Sequence, residues 1–334
     1  MNRMTYKQVP APHFRTTDNS FLMCLDVLVC MVPLCVLSAV YYGWRPILIV
    51  LLCMATAVAC ETICCMLMRR PLSVVDGSAL ATGAIVGAVM SPMAPYWLGV
   101  VATAFAILVV KMPMGGTGRN LFNPAAGGLA FVTLCFPSFL FTYPITKTML
   151  PVAGSLQTLL TQKSPAAQLA AGASTHYNSQ SLLLGDYPGP IGATAVLVLL
   201  ACAVYLFIRR SGSPAITISY LVTCALLACL FPRASDSVIT ELCSGYLLFA
   251  AIFMFSDPVT APRYWFSRVL YGVLSGVLVM LFRYMGRFEE GVCFAVLLAN
   301  AAAPIVDRNG WRLMDFLRLK WASKTGKGDL ADDT

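Results

Sequence analysis

Long apolar runs alternate with short polar breaks along most of this chain. Ten runs stand out, at 21–43, 46–68, 77–92, 95–111, 123–141, 190–208, 214–231, 240–256, 266–283 and 290–304. A membrane-crossing helix needs about 20 consecutive apolar residues. Runs of this kind, repeated along one chain, predict an all-α polytopic membrane protein with about ten transmembrane helices. The third, eighth and tenth runs are short for a hydrocarbon layer of about 30 Å, and short or Gly/Pro-interrupted spans tend to line sites rather than face lipid. One long polar stretch, 142–189, is rich in Ser, Thr, Ala and Gln and poor in charge. It reads as a flexible loop or an external lid, and His176 within it has no acid-paired serine pattern.

The pattern also hints at duplication. Asp76-Gly77-Ser78-Ala79-Leu80 leads through a short span to Ser91-Pro92, and Ser244-Gly245-Tyr246-Leu247 leads through another to Ser256-Asp257-Pro258. Gly115 to Pro124 opens the fifth run as Gly286 to Gly291 opens the tenth. The expectation is two five-helix repeats. The organisation is then an N-terminal tail over 1–20, a first repeat with the external segment and the helix start after it over 21–210, a second repeat over 211–305, and a basic tail over 306–334.

Composition narrows the class. Of 334 residues, 58% are hydrophobic and 11% charged, and mean hydropathy is +0.76, whereas soluble domains carry about 25% charged residues. The net charge of +8 invites a nucleic-acid reading, which the distribution of the charge argues against. With the N-terminus in the cytoplasm, 17 of the 23 Lys and Arg residues fall in inside segments, as the positive-inside rule asks. This orientation, N-in and C-in, puts 142–189 and the residues just after it on the outer face. No small-residue cleavage site precedes the first apolar run, so no cleaved signal peptide is expected. Most of the 13 cysteines lie inside apolar runs and none forms C-x-x-C, which favours packing over metal binding or disulfides. Two histidines offer little for a His-based metal site or haem.

Three features carry candidate chemistry. The first is Gly185 to Val196, where two prolines and two glycines precede the step Ile191-Gly192-Ala193-Thr194 and an apolar helix. A helix N-terminus offers unpaired N–H groups and partial positive charge, and glycine allows an anion such as phosphate to approach closely. Gly192, Ala193 and the hydroxyl of Thr194 form that candidate site, with a plain helix cap as the alternative. The second is Gly115-Gly116-Thr117-Gly118-Arg119-Asn120-Leu121-Phe122-Asn123-Pro124. Glycine-rich backbone there suits a flat ring or a phosphate, and Asn120 and Asn123 can each donate and accept. The third is the set of acids in or beside apolar runs: Asp26, Glu61, Asp76 and Asp257. A charge at the membrane centre costs at least about 2.5–3.5 kcal/mol, so Glu61, Asp76 and Asp257 are candidates for an ion pathway, against helix capping or pairing with Arg69, Arg70 or Arg263. No metal site and no catalytic acid, base or nucleophile is expected.

Taken together, Asp76 to Gly83, Gly115 to Pro124, Ile191 to Thr194, Ser256-Asp257-Pro258-Val259-Thr260 and Glu290 to Asp307 resemble, in the same order, the motifs of the NqrB/RnfD family. The length and short N-terminal tail are similar to its Rnf members. The resemblance spans about residues 20–315. It implies a urea-transporter-like fold of ten helices in two repeats, in a bacterial inner membrane. It implies FMN bound covalently as a phosphoester on Thr194, attached by a separate flavin transferase that uses FAD, and a second, non-covalent flavin such as riboflavin, for which Gly115, Gly116, Gly118, Asn120 and Asn123 are candidates. The implied partners are the other subunits of an Rnf complex, including an FMN-bearing G subunit. That complex is a translocase, a ferredoxin:NAD+ oxidoreductase coupled to Na+ or H+ movement, with no complete activity in this chain alone. The sequence departs from the family pattern at Ile191 and Ala195. The alternative on pattern alone is a cofactor-free ten-helix solute transporter or channel.

Overall fold

The computed structural model describes residues 20–69, 76–154, 159–175, 177–233, 238–286 and 288–325. His176, Arg70 and the tail before Ser20 lie outside the described residues. The predicted runs all fall on helices. They are α1 (Ser20–Tyr42), α2 (Arg45–Leu67), α3 (Ser78–Val89), α4 (Tyr96–Phe105), α5 (Pro124–Cys135), α6 (Pro137–Leu140), α7 (Pro165–Ala170), α8 (Ser179–Leu184), α9 (Val196–Ile208), α10 (Pro214–Leu230), α11 (Val238–Cys243), α12 (Leu247–Phe253), α13 (Trp265–Met285) and α14 (Val292–Thr325). Among the described residues, α1, α2, α13 and the part of α14 up to Gly310 are long and apolar enough to cross a membrane. The outward faces of α1, α9 and α10 expose Val32, Val36, Leu197, Val204, Ile218 and Val222, as helices facing lipid do.

Two of the short helices are buried almost throughout. Nearly every side chain of α3 and every one of α12 is buried. Lipid gives no hydrophobic drive for helices to associate, so close backbone approach at small residues has to supply the packing. A Cβ at Gly83 on α3 would stand 2.7 Å from the Cys53 carbonyl of α2, and one at Gly128 on α5 would stand closer still to the Ala102 carbonyl of α4.

The sequence-derived boundaries move in four places. The eighth run, 240–256, is divided between α11 and α12, with Ser244, Gly245 and Tyr246 between them. The sixth run does not become helical at Pro190; α9 starts at Val196. The reason is that the Ile191 N–H donates to Met90 O (3.0 Å) and the Gly192 N–H to Ala88 O (2.6 Å), so residues 191–192 satisfy the end of α3 instead of building a helical turn. The basic segment after 305 is not a separate tail up to 325, because α14 runs through Pro304 to Thr325. The segment 142–189 is more ordered than a loop. Its β1 (Tyr143–Pro144) pairs antiparallel with β2 (Thr161–Gln162), and α7 and α8 rest against α11.

Three basic residues counted as loop charges are buried: Arg45, Lys111 and Arg283. Arg45 donates to the carbonyls of Pro92 (3.2 Å), Ala94 (3.2 Å) and Pro151 (3.3 Å) and gathers two segments that lie apart in sequence. Arg283 of α13 donates to Glu290 Oε1 (2.8 Å), Glu241 Oε1 (3.2 Å) and the Ser244 carbonyl (2.7 Å). It thereby ties α11, Ser244 ahead of α12, and Glu290 ahead of α14 to α13. Next to this cluster the Ser164 hydroxyl, which also caps α7, donates to Glu289. Burial, with help from neighbouring Glu290, lifts the Glu289 carboxyl to about 8, against the opposing effects of Ser164 and Arg283.

Two outcomes follow from these contacts. Gly128→Ala is expected to lower stability by about 1–3 kcal/mol, seen as an earlier melt in detergent; an unchanged melt would mean that α4 and α5 do not pack this closely. The folded Glu289 holds its proton more tightly than an unfolded glutamate. Its contribution to stability is full at low pH and is lost as pH rises toward 8. Glu289→Gln is expected to flatten the fall in melting temperature between about pH 5 and pH 8, and an unaltered slope would remove Glu289 as its cause.

Candidate functional site

The first candidate region is the turn before α9. Thr194 sits two residues ahead of Val196, is 5% exposed, and its carbonyl accepts the Val196 N–H at 2.9 Å. Ala195, at the N-cap, makes no side-chain cap, so the first-turn N–H groups beyond Val196 have no helical acceptor. The Thr194 hydroxyl has no hydrogen-bond partner among the described residues. The backbone presses on it closely: a Cβ at Gly189 would lie 2.7 Å from the Thr194 methyl. Gly192 and Ala193 are buried, and Gly192 is tied to α3 through its N–H as above. The region therefore combines an unpartnered hydroxyl, orphan N–H groups and close-packed glycines. That chemistry fits a phosphoester.

The second region is a cavity of about 130 Å³ at the other end of α9. Met23, Val27, Ile85, Leu206 and Phe253 give it apolar walls, and Ser78, Lys111, Thr117, Gly118, Asn120, Asn123 and Asp257 give it polar ones. The 115–118 turn that borders it has positive φ at Gly115 (112°), Gly116 (89°) and Gly118 (82°), a backbone that other residues rarely adopt. Of the predicted ring-binding residues, Gly118, Asn120 and Asn123 line the cavity, while Gly115 and Gly116 shape its turn.

The two asparagines are less free than their donor and acceptor groups suggested. Asn123 Oδ1 accepts from the N–H groups of Ala125 (3.0 Å) and Ala126 (3.3 Å), capping α5, and its Nδ2 donates to the Met254 carbonyl (3.2 Å) at the end of α12. Its own N–H donates to Asn300 Oδ1 (3.0 Å), and Asn300 Nδ2 donates to Tyr271 OH (2.9 Å). The Asn123 amide is thus a structural joint between the halves of the chain and does not present a free edge to a ligand. The Asn120 amide, with its NH2 facing carbonyls, donates to Gly116 O (3.0 Å) and Lys111 O (3.3 Å).

The acids separate. Glu61 is 0% exposed and lies 2.7 Å from Lys111 Nζ, itself 1% exposed. Asp257 lines the cavity and accepts from the Val259 N–H (3.3 Å) and the Thr260 hydroxyl (3.2 Å); burial raises its carboxyl above the usual range. Asp76 stands just before Gly77 and α3 and does not line the cavity. Asp26 is held by Tyr205 OH (3.0 Å), Arg209 Nε (3.2 Å) and the Ser211 hydroxyl, which locks α1 to the far end of α9.

Lys111 is the residue that sequence reasoning missed. It closes an apolar run and so reads as a loop charge. The structure winds 106–111 as a π-helix, with the Met112 N–H bonding back to Ile107 O at 2.9 Å. Single-turn π segments recur at functional sites. Here the wide turn directs Lys111 inward to Glu61 and Ser78, and no residue pattern announces it.

Known proteins share this sequence along nearly its whole length. The profile of the NQR2, RnfD, RnfE family matches residues 7–310. The D subunit of the ion-translocating oxidoreductase complex of Stutzerimonas stutzeri is 33% identical, over 85% of this chain and 88% of its own. The D subunit of the Na(+)-translocating ferredoxin:NAD(+) oxidoreductase complex of Acetobacterium woodii is 29% identical, over 92% of this chain and 94% of its own. The D subunit of the ion-translocating oxidoreductase complex of Klebsiella pneumoniae is 31% identical, over 91% of this chain and 97% of its own. With a match that covers nearly all of its length, the chain belongs to the NQR2, RnfD, RnfE family.

Proposed function

We propose that this chain is the D-type membrane component of a complex that passes electrons between ferredoxin-linked and NAD-linked partners and couples them to Na+ or H+ movement. In this reading it carries FMN as a phosphoester on Thr194, on the outer face of a bacterial inner membrane, attached by a flavin transferase. An FMN-bearing G subunit is the neighbour on that face. The two halves of the chain act as two five-helix repeats, N-in and C-in. Removing Arg45, Lys111 and Arg283 from the loop charges strengthens the basic excess on the inner side.

The observation that carries the reading is the state of Thr194. Its hydroxyl has no hydrogen-bond partner among the described residues and stands at a helix start, where first-turn N–H groups favour a phosphate. Gly185 and Gly189 pack closely against it, and the Ile191-Gly192-Ala193-Thr194 step resembles the family motif. A flavin there would supply one- and two-electron chemistry. The chain's own part is to anchor the phosphate, orient the ring and keep the tether from dissociating into the outer space. Thr194 is the tether and transfers no proton. The cavity beside Gly118 and Asn120 is the seat of a second, non-covalent flavin. Its walls combine apolar side chains with hydroxyls, an amide and the Asp257 carboxyl, and its one lysine is already paired with Glu61, which suits uncharged riboflavin better than a phosphate-bearing form.

The test is to express the chain with a flavin transferase, solubilise it and run a denaturing gel. Flavin fluorescence on the band is expected, with the FMN-phosphoester mass on the Thr194 peptide, and both are expected to vanish in Thr194→Val. A dark wild-type band despite an active transferase would remove the tether and return the transporter reading.

A further inference from the structure

The Lys111–Glu61 pair has a direction. Lys111 is among the residues that line the cavity and Glu61 is not, and Lys111 Nζ reaches Ser78 Oγ of the same wall. The ammonium therefore stands nearer to any occupant than the carboxylate does. Opposite charges at unequal distances do not cancel, and inside a protein the difference is weakly screened.

The ammonium is also incompletely used. It has three donors. One goes to Glu61 Oε2 at 2.7 Å and one to Ser78 Oγ at 2.7 Å; the third has no acceptor among the described residues. Ser78 Oγ lies 2.7 Å from Thr117 Oγ1. Either hydroxyl of this pair can be the donor, and both belong to the same wall. The acid in the wall, Asp257, has its two oxygens engaged by Val259 and Thr260, and the Cys24 thiol also borders the cavity.

We propose that the Lys111–Glu61 pair is an electrostatic positioning element that biases the cavity toward a ligand taking on negative charge, and so toward the reduced form of a redox-active ring bound there. This rests on the reading of the cavity as a flavin site. The pair is neutral as a whole, so an uncharged oxidised ring enters without meeting a net charge. When one electron is added to the ring, no bond forms or breaks in the chain, and the nearer ammonium stabilises the added charge. In the proposed complex the reductant is the flavin on Thr194.

The test uses the solubilised full chain with riboflavin as the probe and an electrode as the reductant. The midpoint potential of the bound riboflavin is followed by absorbance in wild type, Glu61→Gln and Lys111→Met/Glu61→Gln. Glu61→Gln removes the distant negative end and is expected to move the potential upward. The double variant removes both ends, stays neutral and is expected to fall below wild type. If Glu61→Gln does not fold, the comparison of wild type with the double variant decides alone. Equal potentials in those two, with riboflavin bound, would overturn the proposal and leave the cavity assignment standing. A wild-type chain that binds no riboflavin would overturn the cavity assignment and this proposal with it, while the Thr194 tether would be untouched.

Discussion

A charge taken into a low-dielectric interior has to be matched within the reach of one side chain, and here that requirement decides how the helices meet. Breaking a buried pair costs about 3–5 kcal/mol, because the remaining charge is left without compensation. Arg283 is matched by Glu241 and Glu290 and Lys111 by Glu61, while the buried Asp26 is matched by a half-exposed Arg209, a weaker tie because water screens it. Glu241 ties α13 to α11, Glu61 ties the π-helical end of α4 to α2, and Asp26 ties α1 to the end of α9, all across long stretches of chain, while Glu290 stands seven residues beyond Arg283. The pairs sit near helix ends, where small shifts in register would separate them.

The backbone obeys the same demand. A helix that stops inside a membrane protein leaves carbonyls without partners, and irregular backbone at that depth survives only where protein satisfies it. Helix α3 is finished by the N–H groups of Ile191 and Gly192, and α12 by the Asn123 amide. The residues that complete one broken helix are also the entry to another: 191–192 precede α9, and Asn123 caps α5. The two candidate regions therefore lie where helices break.

Much of this was legible in the order of residues. The apolar runs located the helices because lipid demands about the same length of apolar chain wherever it is crossed. The Gly185–Val196 and Gly115–Pro124 segments stood out because glycine, proline and asparagine there break strong apolar patterns. What stayed hidden were contacts between distant positions. Lys111 looked like a loop charge because a π-turn has no residue signature. Asn123 looked like a ligand contact because its amide can donate and accept, and the pattern along one segment does not show that Met254, Asn300 and the first turn of α5 already use those groups. The start of α9 was misplaced for a similar reason, since the competing acceptors lie on α3.

The two regions are joined by one helix. Thr194 precedes the first turn of α9, and Leu206, near its last turn, reaches the cavity. At 1.5 Å per residue, a 13-residue helix spans about 20 Å, so on the proposed reading the tethered flavin and the cavity ligand sit toward opposite faces of the membrane. An electron passing between them moves charge across the low-dielectric layer. Charge moved in this way has to be met at its destination, and a neutral pair with its ammonium turned toward the cavity meets it without placing a permanent net charge in the wall. The same geometry explains why Lys111 is paired at all. An isolated ammonium there would lower the affinity of the helices for one another, and a neutral residue would give the arriving charge nothing to face.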